Sequence, residues 1–202
     1  MKKIAAVIAT SNKHKLEEIN EILSGCNFEI KSMKDVGLEG LVIVEDGGSF
    51  EANATIKAKT VMNLTNSIAI ADDSGLEVLA LGNEPGVDTA IYAGENATDA
   101  ENNGKLLREL KDVPYEKKQA KFVCVIAVAF PSGKTLTVRG ECHGIIALEP
   151  KGNSGFGYDP LFVIEEYGLT LAELGKDIKN KISHRAMALK KLKKALYDDV
   201  RG

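Results

Sequence analysis

The stretch Ile68-Ala69-Ile70-Ala71-Asp72-Asp73-Ser74-Gly75-Leu76 decides how the chain is read. Four apolar residues closed by a turn signal predict a buried strand that stops at the carboxylates. In an open α/β sheet, ligands sit beyond the carboxyl ends of the strands. Asp72 and Asp73 are therefore expected at the edge of the sheet, where chemistry is usually done. Successive strand residues point to opposite faces, so the two carboxylates need not share a role. Either suits a hard cation such as Mg²⁺, which prefers oxygen ligands, or the acceptance of a proton. The same Asp-Asp-Ser-Gly run also suits an ordinary turn.

Upstream, Ile4 to Ala9 predicts a first buried strand, and Thr10-Ser11-Asn12 supply capping residues. Leu16, Ile19, Ile22 and Leu23 recur at helical spacing, with Gly25 as the stop. Lys13 and Lys15 fall in the first turn, where the helix dipole already disfavours cations. Free amides, a hydroxyl and lysines together suggest a phosphate cradle. It is not a Walker A loop, because the glycines are missing. Phe28 to Met33 fits a second strand, and Val42-Ile43-Val44 leads into Glu45 and a glycine pair. Ser49 then caps a helix whose Phe50, Ala54, Ala58 and Val61 face the core, with Asn53 and Lys57 together on a neighbouring face. Glu45, just outside that helix, is either a metal-binding carboxylate or a plain loop residue.

Downstream, Leu76 to Leu81 precedes a clear turn at residues 82–86, and a helix is expected over Asp99 to Lys111. Pro114 to Lys118 is the best candidate for a lobe boundary. Phe122 to Phe130 and Thr135 to Val138 predict a hairpin, and Gly144 to Leu148 a further strand, so the sheet should be mixed. Gly152 to Pro160 is a loop with three glycines, two aromatics and a carboxylate, suited to close backbone approach and stacking. Leu161 to Ile164 predicts a strand, and Ile178 to Ile182 lies among Lys176, Lys179 and Lys181. Ser183 caps a last helix with His184 and Arg185 in its first turn and an apolar stripe of Ala188, Leu189, Leu192 and Leu196.

The bulk figures narrow the classes. The chain has 202 residues, 44% of them hydrophobic and 27% charged, with a net charge of −3, which fits a folded globular protein and argues against a nucleic-acid surface. No apolar run approaches the ~20 residues of a membrane span. The basic-then-apolar beginning, Met1 to Ala9, is faintly like a signal peptide but is read as strand one. Cys26, Cys124 and Cys142 are odd in number and widely spaced, so reduced thiols in a cytosolic protein are expected. With only His14, His143 and His184, a zinc site is not expected.

Taken together, Thr10-x-Asn12-x-x-Lys15, Asn53-Ala54-x-x-Lys57, Ala71 to Leu76, Gly155 to Pro160 and Ile182-Ser183-His184-Arg185 resemble the inosine triphosphate pyrophosphatase family. The resemblance runs from Ile4 to Leu196. It implies an α/β fold with an elongated, twisted, mixed sheet flanked by helices, forming a single domain over residues 1–202 with two lobes around a central cleft. It implies a cytoplasmic homodimer that uses Mg²⁺ to hydrolyse ITP, dITP and XTP to the monophosphate and pyrophosphate. By the same resemblance Thr10, Ser11, Asn12, Lys13, His14 and Lys15 bind phosphate, as does Lys57. Glu45 and Asp73 bind the metal, with Asp73 also the proton acceptor. Ser74 contacts substrate, and Phe156, Gly157, Tyr158, Asp159, Lys179, His184 and Arg185 hold the nucleoside. Arg185, or backbone N–H groups near it, are the expected donors to a 6-oxo purine. The sequence departs from the family at Ala52, where Glu is frequent, and at Ile91, where bacterial relatives often have Arg. A house-cleaning pyrophosphatase for modified pyrimidine nucleotides, a nucleotide-binding regulator without turnover, and an aspartyl-phosphate phosphatase are the rival readings.

Overall fold

The computed structural model describes residues 4–24 and 28–199. In order these form β1 (Ile4–Ile8), α1 (Lys13–Leu23), β2 (Phe28–Ser32), α2 (Phe50–Thr65), β3 (Ile68–Val78), α3 (Asp99–Glu109), β4 (Gln119–Ala129), β5 (Thr135–Ile146), β6 (Phe162–Ile164), β7 (Leu169–Thr170), α4 (Gly175–Ile182) and α5 (His184–Asp199). The strands make one sheet in the order β2-β1-β3-β4-β5-β6-β7. β1 runs parallel to both β2 and β3, pairing Ala6 with Ile30 and Ile8 with Ile70. β6 runs antiparallel to both β5 and β7. The mixed α/β sheet flanked by helices is thus observed.

The chain packs as two compact units. One comprises Met1–Asp73, Cys124–Gly140 and Arg185–Gly202; the other comprises Ser74–Val123 and Glu141–His184. In the first, Ala6, Ile8, Ile70, Cys124, Ile126 and Val128 meet Ile19 and Leu23 of α1 and Ala188, Leu189 and Leu192 of α5. These strand positions alternate, as one face of a sheet requires. α2 starts where Ser49 Oγ accepts the Ala52 amide, and the predicted stripe of Phe50, Ala54, Ala58 and Val61 is buried. In the second unit, Leu76, Val78, Phe122, Ile146 and Phe162 pack with Leu106 and Leu110 of the α3 segment and with Tyr92 and Tyr158. α3 begins with a reciprocal cap, Thr98 accepting the Glu101 amide while Glu101 accepts the Thr98 amide.

Several boundaries differ from the sequence reading. β3 does not stop at Asp72 but continues to Val78, so the carboxylates lie within the strand. Turn-forming side chains persist there because each buried charge has a cation to meet, which removes the reason to leave the strand. Gly144 to Leu148 is no separate strand, since β5 already runs to Ile146. Val42 and Val44 are exposed in a segment without regular structure. The two units exchange at residues 73/74, 123/124, 140/141 and 184/185, not at Pro114 to Lys118, which is a short turn of 3₁₀ helix. Residues 178–182 fall in α4. Gly25 and Cys26 lie outside the described residues. Cys124 and Cys142 are both buried, and burial pushes the Cys142 thiol up to about 11. Among the described residues no helix is long and apolar enough to cross a membrane.

The hydrogen bonds from Thr98 hold the Glu101 carboxyl below its ordinary 4.5. A carboxyl depressed on folding stabilises above its unfolded value and loses that contribution as pH falls through the lower native one. Replacing Glu101 by Gln is therefore expected to separate from the wild type above pH 4.5 and to converge with it on acidification, as read by urea denaturation at stepped pH.

Candidate active site

In the first unit the neighbours Asp72 and Asp73 gather separate sets of side chains, because adjacent positions of β3 face opposite ways. Asp73 is met by α2. Lys57 Nζ lies 2.9 Å from Asp73 Oδ1 and 2.6 Å from Glu45 Oε2. Asn53, one helical turn before Lys57, donates from Nδ2 to Asp73 Oδ2 at 3.3 Å and accepts the Gly47 amide at 2.9 Å. The segment carrying Glu45 has no regular structure of its own, and Asn53 and Lys57 tie it to the helix. The spacing Asn53-x-x-x-Lys57 places both groups on one face.

Asp72 is met from α1 and α5. Lys15 Nζ stands 3.1 Å from Asp72 Oδ2. Arg185 Nη2 and Nε donate to the same oxygen at 3.0 and 3.3 Å, and its Nη1 donates to Glu18. Arg185 and Asp72 are each 1% exposed. These partners account for the cations at the wrong ends of two helices: buried carboxylates outweigh the unfavourable dipole, which is worth well under ~2 kcal/mol.

The electrostatics follow from burial and pairing. Burial raises the Asp73 carboxyl, Lys57 only partly opposes it, and the group rests at about 6. Burial works to lower the Lys57 ammonium, yet Asp73 and Glu45 outweigh it and hold it above the ordinary lysine range. Arg185 is held above its usual range by Asp72 and Glu18 despite its burial.

The expected phosphate cradle is organised differently from the simplest picture. Asn12 Oδ1 accepts the amides of His14 and Lys15 at 2.9 and 3.2 Å, and Thr10 Oγ1 accepts the Asn12 amide. Two amides expected to be open to an anion are thus occupied by the helix cap. Ser11, Lys13 and His14 lie on exposed surface, whereas Lys15 is half-buried.

In the second unit, Asp159 Oδ2 accepts both the Phe156 amide at 3.0 Å and Lys179 Nζ at 2.7 Å. The same ammonium lies 4.7 Å from the centre of the Phe156 ring, a cation–π contact. Gly155 has φ +83°, and a Cβ there would fall 2.2 Å from Asp159 Oδ2, so only glycine fits. Tyr158 is buried and donates to the Thr89 carbonyl at 2.9 Å. His184 is buried and stacks on Phe122 with ring centres 4.8 Å apart. Ser74 is half-buried in β3.

Four participants were not singled out as site residues. Glu18 follows Lys15 by three positions on α1, and Asn53 precedes Lys57 by four, so helical spacing from a suspected lysine points to both. Asp99 accepts the Gly157 amide at 2.6 Å, and Asn103 donates to the Gly157 carbonyl at 3.0 Å. Their pairing is far apart in sequence and leaves no local signal.

The Ham1 family model matches residues 6–195. The dITP/XTP pyrophosphatase of Geobacter sulfurreducens is 51% identical over 187 residues, covering 93% of this chain and 94% of its own length. The dITP/XTP pyrophosphatase of Bacillus subtilis is 48% identical, covering 95% and 96%. The Staphylococcus aureus Ham1 protein superposes with a TM-score of 0.87 at 37% identity, covering 96% of this chain and 99% of that one. A Coxiella burnetii HAM1 protein gives 0.88 at 39% identity with the same coverage. On a family match that spans both units, and on relatives matched nearly end to end, this chain belongs to the Ham1 family.

Proposed function

We propose that the chain hydrolyses the purine nucleoside triphosphates ITP, dITP and XTP to the monophosphate and pyrophosphate, and so clears them from the nucleotide pool. It is a nucleoside triphosphate pyrophosphatase, a hydrolase acting on acid anhydrides. The observation that carries the reading is the buried carboxylate of Asp73, set against Lys57 and Glu45 within hydrogen-bond distance.

The roles follow from that arrangement. Glu45 and Asp73 converge on one ammonium, so two hard oxygen donors already face a shared positive charge. That donor set suits Mg²⁺, which takes one or two carboxylates and completes its shell with water and phosphate oxygens. Bound there, the ion supplies Lewis acidity toward phosphoryl oxygens. Asp73 orients the attacking water and takes its proton. The new bond forms from that water to the α-phosphorus, the bond to the bridging oxygen breaks, and pyrophosphate leaves. Lys15 and Lys57 stabilise the charge that develops on it. Asn53 fixes Asp73, and Arg185 with Glu18 fixes Asp72. Phe156 offers a stacking face to the purine, with Gly157, Tyr158, Asp159, Lys179 and His184 in the nucleoside-holding set and Ser74 beside Asp73 in sequence. Thr10 to Lys15 serve the polyphosphate. Arg185 already gives three of its five N–H groups to Asp72 and Glu18. The two units act as lobes of one domain, and the enzyme works as a homodimer in the cytoplasm.

Asp73→Asn is expected to lose nearly all turnover while keeping its fold by circular dichroism; near-normal kcat would refute the proton role. Product analysis with ITP, XTP, GTP, ATP and UTP, with and without Mg²⁺, is expected to give pyrophosphate from ITP and XTP and none in EDTA. Preference for UTP would favour the pyrimidine rival, bound ITP without product the regulator, and orthophosphate the aspartyl-phosphate route. Arg185→Ala removes the buried guanidinium that pairs with Asp72 and Glu18 and is expected to cost about 3–5 kcal/mol in urea denaturation. It should also narrow the ITP-to-ATP ratio of kcat/KM; an unchanged ratio would remove Arg185 from base reading.

A further inference from the structure

The glycine-rich loop of the second unit poses a physical problem. Gly152, Gly155 and Gly157 all have positive φ, and such a run leaves an untethered loop a large choice of conformations. A ring that must stack on a base gains affinity only when that choice has been removed before binding. Asp159 restrains one end, through the Phe156 amide. The other restraint comes from α3. Asp99 accepts the N–H of Gly157, and Asn103 donates to its C=O. The two residues are four apart, so they share one helix face, and they grip the peptide groups on both sides of Gly157.

The rest of α3 works in the same way. Asn102 accepts the Ala93 amide at 2.8 Å and donates to the Ala90 carbonyl at 2.9 Å. Lys105 donates to the Tyr92 carbonyl at 2.8 Å and sits 3.9 Å from the centre of the Tyr92 ring. Tyr158 in turn joins the loop to Thr89 of that same segment. The helix therefore holds two irregular segments by their backbones. Among the described residues Asn103 Oδ1, which is buried, has no hydrogen-bond partner.

We propose that Asp99 and Asn103 are positioning residues for purine recognition, clamping Gly157 so that Phe156 is presented in a fixed orientation. This rests on the assignment of Phe156 to the nucleoside. The clamp predicts a selective loss: binding of the nucleoside part weakens, whereas binding of polyphosphate, assigned to residues of the other unit, does not.

The test compares wild type, Asn103→Ala, Asp99→Ala and Asp99→Asn by calorimetry with IMP and, separately, inorganic tripolyphosphate. Hydrogen exchange at residues 155–158 is followed in parallel. Asn103→Ala and Asp99→Ala are expected to weaken IMP roughly five- to tenfold, the size of one hydrogen bond. They should raise the KM for ITP with kcat within about twofold, leave tripolyphosphate binding unchanged and speed loop exchange. Asp99→Asn keeps an acceptor oxygen and should restore most of the loss. Equal weakening of both ligands, or unchanged IMP binding, would overturn the clamp. If the wild type neither binds IMP nor turns over ITP, the purine assignment fails instead. Loop exchange then still decides the tether: acceleration in Asn103→Ala upholds it, and unchanged exchange overturns it.

Discussion

Two adjacent carboxylates inside a strand must each be compensated, and on opposite faces. A carboxylate taken from water without a counter-charge either costs several kcal/mol or surrenders its charge. Asp72 and Asp73 are 1% and 7% exposed, so the structure around β3 has to deliver cations to both sides. α2 brings Lys57 to one side, and α1 and α5 bring Lys15 and Arg185 to the other. The register of each of these helices is thereby tied to the strand: moving Lys57 by one position would turn it about 100° away from Asp73. The ion pairs that satisfy the core of this unit involve the same lysines that the proposed function assigns to the polyphosphate.

The course of the chain was readable where hydrophobic spacing and capping chemistry agree. Ser49 with Phe50, Ala54, Ala58 and Val61, and the strands at Ile4 and Phe122, follow directly from period and cap. Failure came where a long-range charge pair overrode a local preference. Asp-Asp-Ser-Gly prefers to turn, and nothing within that stretch announces Lys15, Lys57 and Arg185, which lie between 16 and 113 residues from the carboxylates they meet. The same holds for β7, whose two residues carry no period, and for the places where the units exchange, three of them within continuous strands and the fourth in the first turn of α5.

For the site, residue types were legible and their partners were not. Lys15, Lys57, Asp73 and Arg185 stood out as charges in odd places. That Arg185 would spend its donors on Asp72 and Glu18, and that Asn12 would cap its own helix, depends on geometry that spacing cannot supply. Asp99 and Asn103 were invisible for a related reason: their partner is the backbone of Gly157, which any residue would provide.

The pairing also limits how a polyphosphate can be attracted. Lys15, Lys57 and Arg185 face Glu18, Glu45, Asp72 and Asp73, so the set holds three cations and four carboxylates. It is not a basic well, and a bare triphosphate, carrying about four negative charges at neutral pH, meets a site with no surplus of positive charge. Lys57 Nζ already meets Glu45 and Asp73, so a phosphate oxygen competes with two carboxylates for it, whereas Lys15 Nζ, with three N–H groups, meets Asp72. Under the proposed function, a divalent cation arriving with the triphosphate would supply positive charge that this set lacks, and Glu45 and Asp73 would hold it. Under the proposed function, discrimination rests on the part of the molecule that differs between nucleotides, the base, and on the rigidity with which Phe156 and its loop are presented to it.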